Sequence, residues 1–140
     1  MTDGAFQGGP ALEAMFRFQL WLIPTIEKFP RSQKFLLGDR IQSTALDVLE
    51  SLIEATYTKK RLRILQTANL TIEKLRVLFR LAKELRYLNP KRYEYAVKQL
   101  FEIGSLVGGW MKNVGRGLPR LRSLTKQYCF GLLPLSDCQT

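Results

Sequence analysis

Residues 75–95, LRVLFRLAKELRYLNPKRYEY, constrain the fold of this chain more than any other stretch. The stretch ends one run of apolar residues at helical spacing, passes through Asn89 and Pro90, and enters a second such run. Asparagine is a favoured N-cap, and proline suits the first helical position because its missing N–H needs no partner there. The stretch therefore predicts two long helices joined by a tight turn.

Two further helical segments are expected before residue 57. The first starts near Ala11 and contains Pro24, which should kink the helix or end its regular part. The second is expected to begin with Ser32 as its N-cap and to run to about Thr56. Gly38 is its weak point, since an interior glycine costs on the order of 1 kcal/mol relative to alanine, and we expect it to admit a close neighbouring helix.

The apolar residues of these two segments predict which sides face the core. In the first segment the expected core residues are Leu12, Met15, Phe16, Gln19, Leu20, Ile23 and Ile26. In the second they are Leu37, Ile41, Ala45, Val48, Leu52 and Ala55, with Leu46, Leu49 and Ile53 widening the stripe.

The third helix, expected from about residue 59 to residue 88, carries two apolar stripes. The broad stripe should face the core: Ile64, Leu65, Ala68, Ile72, Leu75, Leu78, Phe79, Ala82 and Leu85. The narrow stripe consists of Leu70, Val77, Leu81 and Leu88. One stripe is enough to pack a helix into a bundle. The second either widens the core face of a central helix or packs against another subunit, which makes Leu70, Val77 and Leu81 a candidate oligomer interface.

The fourth helix is expected to place Tyr93, Val97, Leu100, Gly104, Val107 and Met111 on one face and to end at the glycines and proline that follow Asn113. Four helices with short connections predict an all-α, antiparallel, up-down-up-down four-helix bundle. The expected organisation is a flexible N-terminus (1–10), the bundle (11–115) and a poorly structured C-terminal tail (116–140) that is basic first and apolar later.

The formal net charge is +10, and residues 61–90 alone carry seven Lys and Arg against two Glu. Such a charge favours binding to phosphate backbones, because each neutralised phosphate releases counterions; the alternative is a solubilising surface. Three cations at helical spacing are expected on one side of the third helix, with Glu73 as the only acid nearby, and three more at its end. The candidate nucleic-acid site is therefore Arg76, Arg80, Lys83, Arg86, Lys91 and Arg92. Tyr87, Tyr93 and Tyr95 either stack on unpaired bases or pack within the protein.

Catalytic and metal-binding patterns are not found. The chain has no histidine, the commonest general base and metal ligand, and no phosphate-binding loop or nucleophile elbow. Its two cysteines, Cys129 and Cys138, fall short of the four ligands of a structural zinc site. We expect no enzyme activity, no cofactor and no metal. The cysteines are expected to be free thiols, or to form one tail disulfide. Without a membrane span or a good signal peptide, a cytoplasmic location is expected.

Four blocks of sequence resemble the Avd family, the accessory variability determinants of diversity-generating retroelements. They are FPRSQKFLLGDRI (29–41), LRVLFRLA (75–82), NPKRYE (89–94) and EIGSLVGGWMK (102–112). The likeness covers about residues 12–115, and the specificity comes from the order and spacing of the blocks.

The resemblance implies a four-helix bundle that assembles into a ring-like homopentamer with a basic surface. It implies binding to a reverse transcriptase and to its template RNA or the resulting cDNA in support of mutagenic retrohoming, without a catalytic residue. The alternative is the related four-helix proteins encoded within intervening sequences of ribosomal RNA genes, which would make this chain a scaffold or interaction protein with no specific nucleic-acid role.

Overall fold

A computed structural model describes residues 9–115, and all regular structure in this range is helical. The elements are α1 (Gly9–Ile26), α2 (Arg31–Gln33), a π-helical turn (Lys34–Gly38), α3 (Asp39–Tyr57), α4 (Arg61–Glu84) and α5 (Pro90–Gly115). Because α2, the π-helical turn and α3 follow one another without a break, the chain forms four rods. The tail, its two cysteines and residues 1–8 lie outside the described residues.

The four rods pack as an antiparallel bundle, as the sequence predicted. The rod containing α3 packs against α1 and α4, and α5 packs against α4 and α1. Each rod contributes fully buried apolar side chains to one core. Phe18 of α1 meets Phe79 of α4 across the middle of the bundle, with ring centroids 6.0 Å apart in an edge-to-face arrangement. Aromatic pairs favour this geometry.

The turn between α4 and α5 confirms the importance of Asn89 and Pro90. The Asn89 side-chain oxygen accepts a hydrogen bond from the backbone N–H of Arg92 at 2.8 Å, and Pro90 is the first residue of α5. However, α4 ends at Glu84, four residues before the expected end. The chain then turns through Arg86, whose φ of 66° is left-handed.

Hydrogen bonds explain this early end. The backbone N–H of Arg86 donates to the carbonyl of Lys83, and that of Tyr87 donates to the carbonyl of Ala82, each at 2.9 Å. These are the two bonds of a Schellman motif, which satisfies carbonyls at a helix C-terminus. The left-handed position usually belongs to glycine, so an arginine there is a strained exception.

The start of the second rod differs from the prediction. Ser32 is not an N-cap: Pro30 precedes the first helical residue, Arg31, and no side-chain cap is formed. The Pro30 carbonyl instead accepts the N–H groups of Gln33 and Lys34. The expectation for Gly38 is confirmed, because a Cβ added there would lie 2.9 Å from Cγ2 of Ile26. Pro24 lies inside α1, which continues to Ile26.

The core face of α1 was only partly predicted. Leu12, Met15, Gln19 and Ile26 are buried, but Phe16, Leu20 and Ile23 are exposed, and Phe18 and Leu22 are buried in their place. Because α1 packs against both α3 and α5, its buried stripe is rotated towards α5 relative to the prediction.

Similar differences occur on the other rods. Leu46 and Ile53 of α3 are exposed. Leu85 is exposed because α4 has already ended, whereas Leu88, which the sequence placed in the narrow stripe, is buried under the turn. Burial of the fourth helix follows the prediction at Leu100, Gly104, Val107 and Met111.

Candidate nucleic-acid interface

Charge divides the described bundle into two halves. Residues 9–58, which contain α1 to α3, carry five Lys and Arg against six Asp and Glu, a net charge of −1. Residues 59–114, which contain α4 and α5, carry thirteen Lys and Arg against four Glu, a net charge of +9. We call them the near-neutral half and the basic half. Since α4 and α5 are neighbours in the bundle, the excess positive charge is concentrated on one half of the molecule.

A groove of about 660 Å³ runs between α4 and α5 in the basic half. We call it the α4–α5 groove; its lining is Arg76, Lys83, Pro90, Tyr93, Glu94, Val97, Lys98 and Phe101. Two of the predicted site residues, Arg76 and Lys83, therefore lie at one site because they are two turns apart on α4. The other lining residues come from the first three turns of α5.

The groove cations have acidic neighbours. Nη1 of Arg76 lies 3.0 Å from Oε1 of Glu73, as the sequence suggested. Nζ of Lys83 lies 3.4 Å from Oε2 of Glu84 and 5.3 Å from the centre of the Tyr93 ring. Both are pairs that the sequence indicates, Arg76 with Glu73 and Lys83 with the adjacent Glu84, so these cations have two acids close to them. The side chain of Arg76 is only 16% exposed, whereas that of Lys83 is 36% exposed and Arg80 is exposed. Lys83 and Arg80 are therefore more accessible to an external anion than Arg76 is.

The remaining four predicted cations lie outside the groove lining. Arg80 is exposed on α4 between Arg76 and Lys83. Arg86 is exposed in the left-handed turn, and Lys91 and Arg92 lie in the first turn of α5. The positive end of the α5 dipole is at this turn, which adds to the positive potential around these three residues.

Six of the eight groove residues were not among the predicted site residues, and a cation and an exposed aromatic are the most informative of them. Lys98 and Phe101 are on α5, separated by only one turn, and the fold brings them opposite α4. In the sequence, Phe101 falls beside the expected core face of the fourth helix. It remains 42% exposed. Its spacing alone does not distinguish the edge of a core from the wall of a groove.

The candidate oligomer residues on α4 are all on the surface. Leu70, Val77 and Leu81 are 52%, 60% and 46% exposed, respectively. At about 100° per residue, they lie on the side of α4 opposite its buried face. We call these three residues the α4 stripe.

A second exposed apolar surface lies on the near-neutral half and consists of Leu20, Ile23, Leu46 and Ile53. The flank of α1 opposite to Leu20 and Ile23 faces α5, since the ring centroids of Trp21 and Tyr95 lie 4.8 Å apart. The flank of α3 opposite to Leu46 and Ile53 lines a groove with α4, to which it contributes Arg40, Ser43, Thr44 and Asp47. The four apolar residues therefore share the remaining side, the α1–α3 face. Each half of the described bundle therefore exposes apolar side chains.

Within residues 9–115, no group of His, Cys, Asp and Glu is arranged to hold a metal ion. None of the helices described is both long enough and apolar enough to cross a membrane.

The fold and the charge distribution define the class of the protein: a small helical bundle of four rods with one basic half. The family follows from sequence comparison. The family model described as bAvd-like matches residues 13–114, which run from the first turns of α1 almost to the end of α5, and the chain belongs to this family. The family is generally one of non-catalytic accessory proteins. Neither a curated protein nor a solved structure gives a significant match.

Proposed function

We propose that this protein is a non-catalytic accessory factor of a diversity-generating retroelement, which binds template RNA or cDNA through its basic half and also binds the reverse transcriptase. One observation carries the nucleic-acid part of the proposal. In a bAvd-like chain, thirteen cations and four acids occupy residues 59–114, which contain the two adjacent helices α4 and α5, while the other half of the bundle is near neutral.

This distribution suits contact with phosphates. Cations that are held on rigid helices bind the backbone without reading the sequence, and each neutralised phosphate lowers the slope of log K against log salt by about 0.7 for single strands and about 0.9 for duplex DNA. The expected site is the side of α4 that carries Arg76, Arg80 and Lys83, extended at the turn by Arg86, Lys91 and Arg92. We therefore expect tight binding at low salt and steep weakening as salt rises.

The protein partners follow from the family and from the two apolar surfaces. The resemblance to the Avd family implies two kinds of protein partner: a reverse transcriptase, and further copies of this chain in a homopentamer. A contact between two basic halves would bring two net charges of +9 together, and they would repel. A contact between the α4 stripe of one copy and the α1–α3 face of the next instead places a basic half against a near-neutral half. Such a head-to-tail contact forms a ring when its rotation closes. A ring would repeat the basic side around its circumference and make binding multivalent.

The test of nucleic-acid binding is a charge reversal with a matched control. The variant Arg76→Glu, Arg80→Glu, Lys83→Glu changes the net charge by −6, and so does the control Arg17→Glu, Arg31→Glu, Arg40→Glu on the near-neutral half. Affinity for a fluorescent RNA is measured by anisotropy at several salt concentrations, with helicity checked by circular dichroism. We expect the first variant to lose about 100-fold or more at low salt, and the control to lose much less.

Equal losses in both variants would refute the site, since only the total charge would then matter. A wild-type protein that binds neither RNA nor DNA at low salt would refute the nucleic-acid function. That result, together with oligomerisation detected by light scattering, would favour the alternative scaffold protein of the intervening-sequence type.

A further inference from the structure

We infer that the α4–α5 groove binds an unpaired nucleotide, with the base against Phe101 and Tyr93 and the flanking phosphates on the cations of the rim. The inference rests on the proposed function and narrows it. It narrows the ligand from nucleic acid in general to single strands with accessible bases. It also narrows the binding site from the basic half to the α4–α5 groove.

The groove combines cations with an apolar wall. A site that bound only phosphates would need the cations but not the apolar wall. Pro90, Val97 and Phe101 supply apolar surface, and Phe101 is 42% exposed. Exposed aromatic rings beside cations are the elements with which proteins bind unpaired bases, because every base offers a flat face for stacking. The Tyr93 ring already has the Lys83 ammonium 5.3 Å from its centre.

The dimensions and polar groups also suit a nucleotide. The volume of about 660 Å³ is within the range of roughly 300–1,000 Å³ that is typical of small-ligand sites. Arg76 and Lys83 line the groove from α4 and Lys98 lines it from α5, so a strand lying along the groove has cations on both sides. The carboxylate of Glu94 is an acceptor for the exocyclic amino group of a base, as acidic side chains are for cytosine.

A duplex cannot use this apolar wall. Its bases are paired and stacked inside the helix, so a duplex presents phosphates and groove edges to a protein, and unpaired bases are available in single strands, loops and bulges. Duplex binding to the basic half therefore depends on the cations alone, whereas single-strand binding depends on the cations and on Phe101. This difference separates the inference from the proposed function.

The experiment compares Phe101→Ala with Tyr95→Ala. Both residues are exposed aromatics on α5, 42% and 43% respectively, but Tyr95 lies outside the groove and faces Trp21. The probes are a fluorescent twelve-nucleotide oligouridine and a twelve-base-pair RNA duplex, titrated with the full chain at several salt concentrations. Phe101→Trp keeps a ring at the position and serves as the rescue variant.

We expect Phe101→Ala to weaken oligouridine binding by roughly five- to 150-fold, which corresponds to one lost base stack. Its duplex affinity and its salt slope should be those of the wild type, because no charge is removed. Tyr95→Ala should leave oligouridine binding within about twofold of the wild type, and Phe101→Trp should restore it.

Three results would overturn the inference and leave the proposed function intact: unchanged oligouridine binding in Phe101→Ala, equal losses on oligouridine and duplex, or a changed oligomeric state by light scattering. The last would show that the groove binds another protein chain. If the wild type binds neither probe at low salt, the proposed function itself fails.

Discussion

The near-neutral half and the basic half share one core and differ in what they carry outside it. Both contribute fully buried residues such as Leu22 and Ile41 on one side and Ile72 and Leu100 on the other. Both expose an apolar surface. The net charges, however, are −1 and +9. Because packing in this fold uses only the inward stripe of each helix, the outer charges are free to vary. The fold therefore does not explain their separation.

The separation has a cost that the fold does not require. Like charges concentrated on two adjacent helices repel one another, and the few acids near α4, such as Glu73 and Glu84, neutralise only part of them. A surface with both signs interspersed avoids this repulsion. The near-neutral half shows that the same bundle tolerates such a surface.

The largest expected effect concerns assembly. If the α4 stripe of one copy contacts the α1–α3 face of the next, a buried carboxylate on either surface should dissociate the oligomer to monomers, since an unpaired charge is costly to bury. Leu20→Asp and Val77→Asp are each expected to give monomers by light scattering, with unchanged helicity.

Disulfide cross-linking distinguishes a head-to-tail contact from a symmetric one. In a Cys129→Ser, Cys138→Ser background, a mixture of Leu20→Cys and Val77→Cys chains should cross-link, and neither should cross-link alone. Cross-linking of Leu20→Cys with itself would show that like faces meet and would contradict the proposed arrangement.

The shared core should be more sensitive to truncation than either outer surface. Phe79→Ala removes a fully buried ring that contacts Phe18 and should lower the free energy of unfolding by about 3–5 kcal/mol. Leu81→Ala, two residues away on the α4 stripe, should change the stability of the monomer by less than about 0.5 kcal/mol. Urea denaturation at low protein concentration measures both. Similar losses in the two variants would mean that the α4 stripe is buried within a single chain.

Each half also buries one amide side chain without a protein partner. Gln19 on α1 and Asn69 on α4 are 4% and 2% exposed, and neither amide makes a hydrogen bond to the protein. Replacement by leucine removes an unsatisfied polar group, and each variant should gain roughly 1–3 kcal/mol. Thermal unfolding measures the change. A loss of stability in Asn69→Leu would indicate that ordered water satisfies the amide in the basic half.

The smallest effect is expected at the turn of the basic half. Arg86→Gly relieves a left-handed φ of 66° and should raise the free energy of unfolding by up to about 1 kcal/mol, because glycine adopts this conformation without a steric penalty. It also removes one candidate phosphate contact, so the dependence of log K on log salt should become less steep by about 0.7 to 0.9. Unchanged binding would place Arg86 outside the nucleic-acid site, and unchanged stability would mean that the loss of chain entropy offsets the relieved strain.

Much of the bundle follows from the sequence alone. Helical spacing in four segments and the Asn89-Pro90 boundary are local signals, because a cap and a missing N–H act within one turn of the chain. The same is true of Arg76 and Lys83, which lie on one side of a helix wherever that helix packs. The net charge of each half can also be counted from the sequence once it is known which helices are neighbours.

The tertiary structure decided everything that depends on which neighbour a helix meets. The α1 sequence offers two apolar stripes, and only packing against α3 and α5 selects Phe18 and Leu22 over Leu20 and Ile23. Lys98 and Phe101 join Arg76 and Lys83 only because α5 folds back along α4. Periodicity fixes the angle of a side chain around its own helix axis. It does not fix the rotation of that axis against the others, which is set by the packing of all four rods at once.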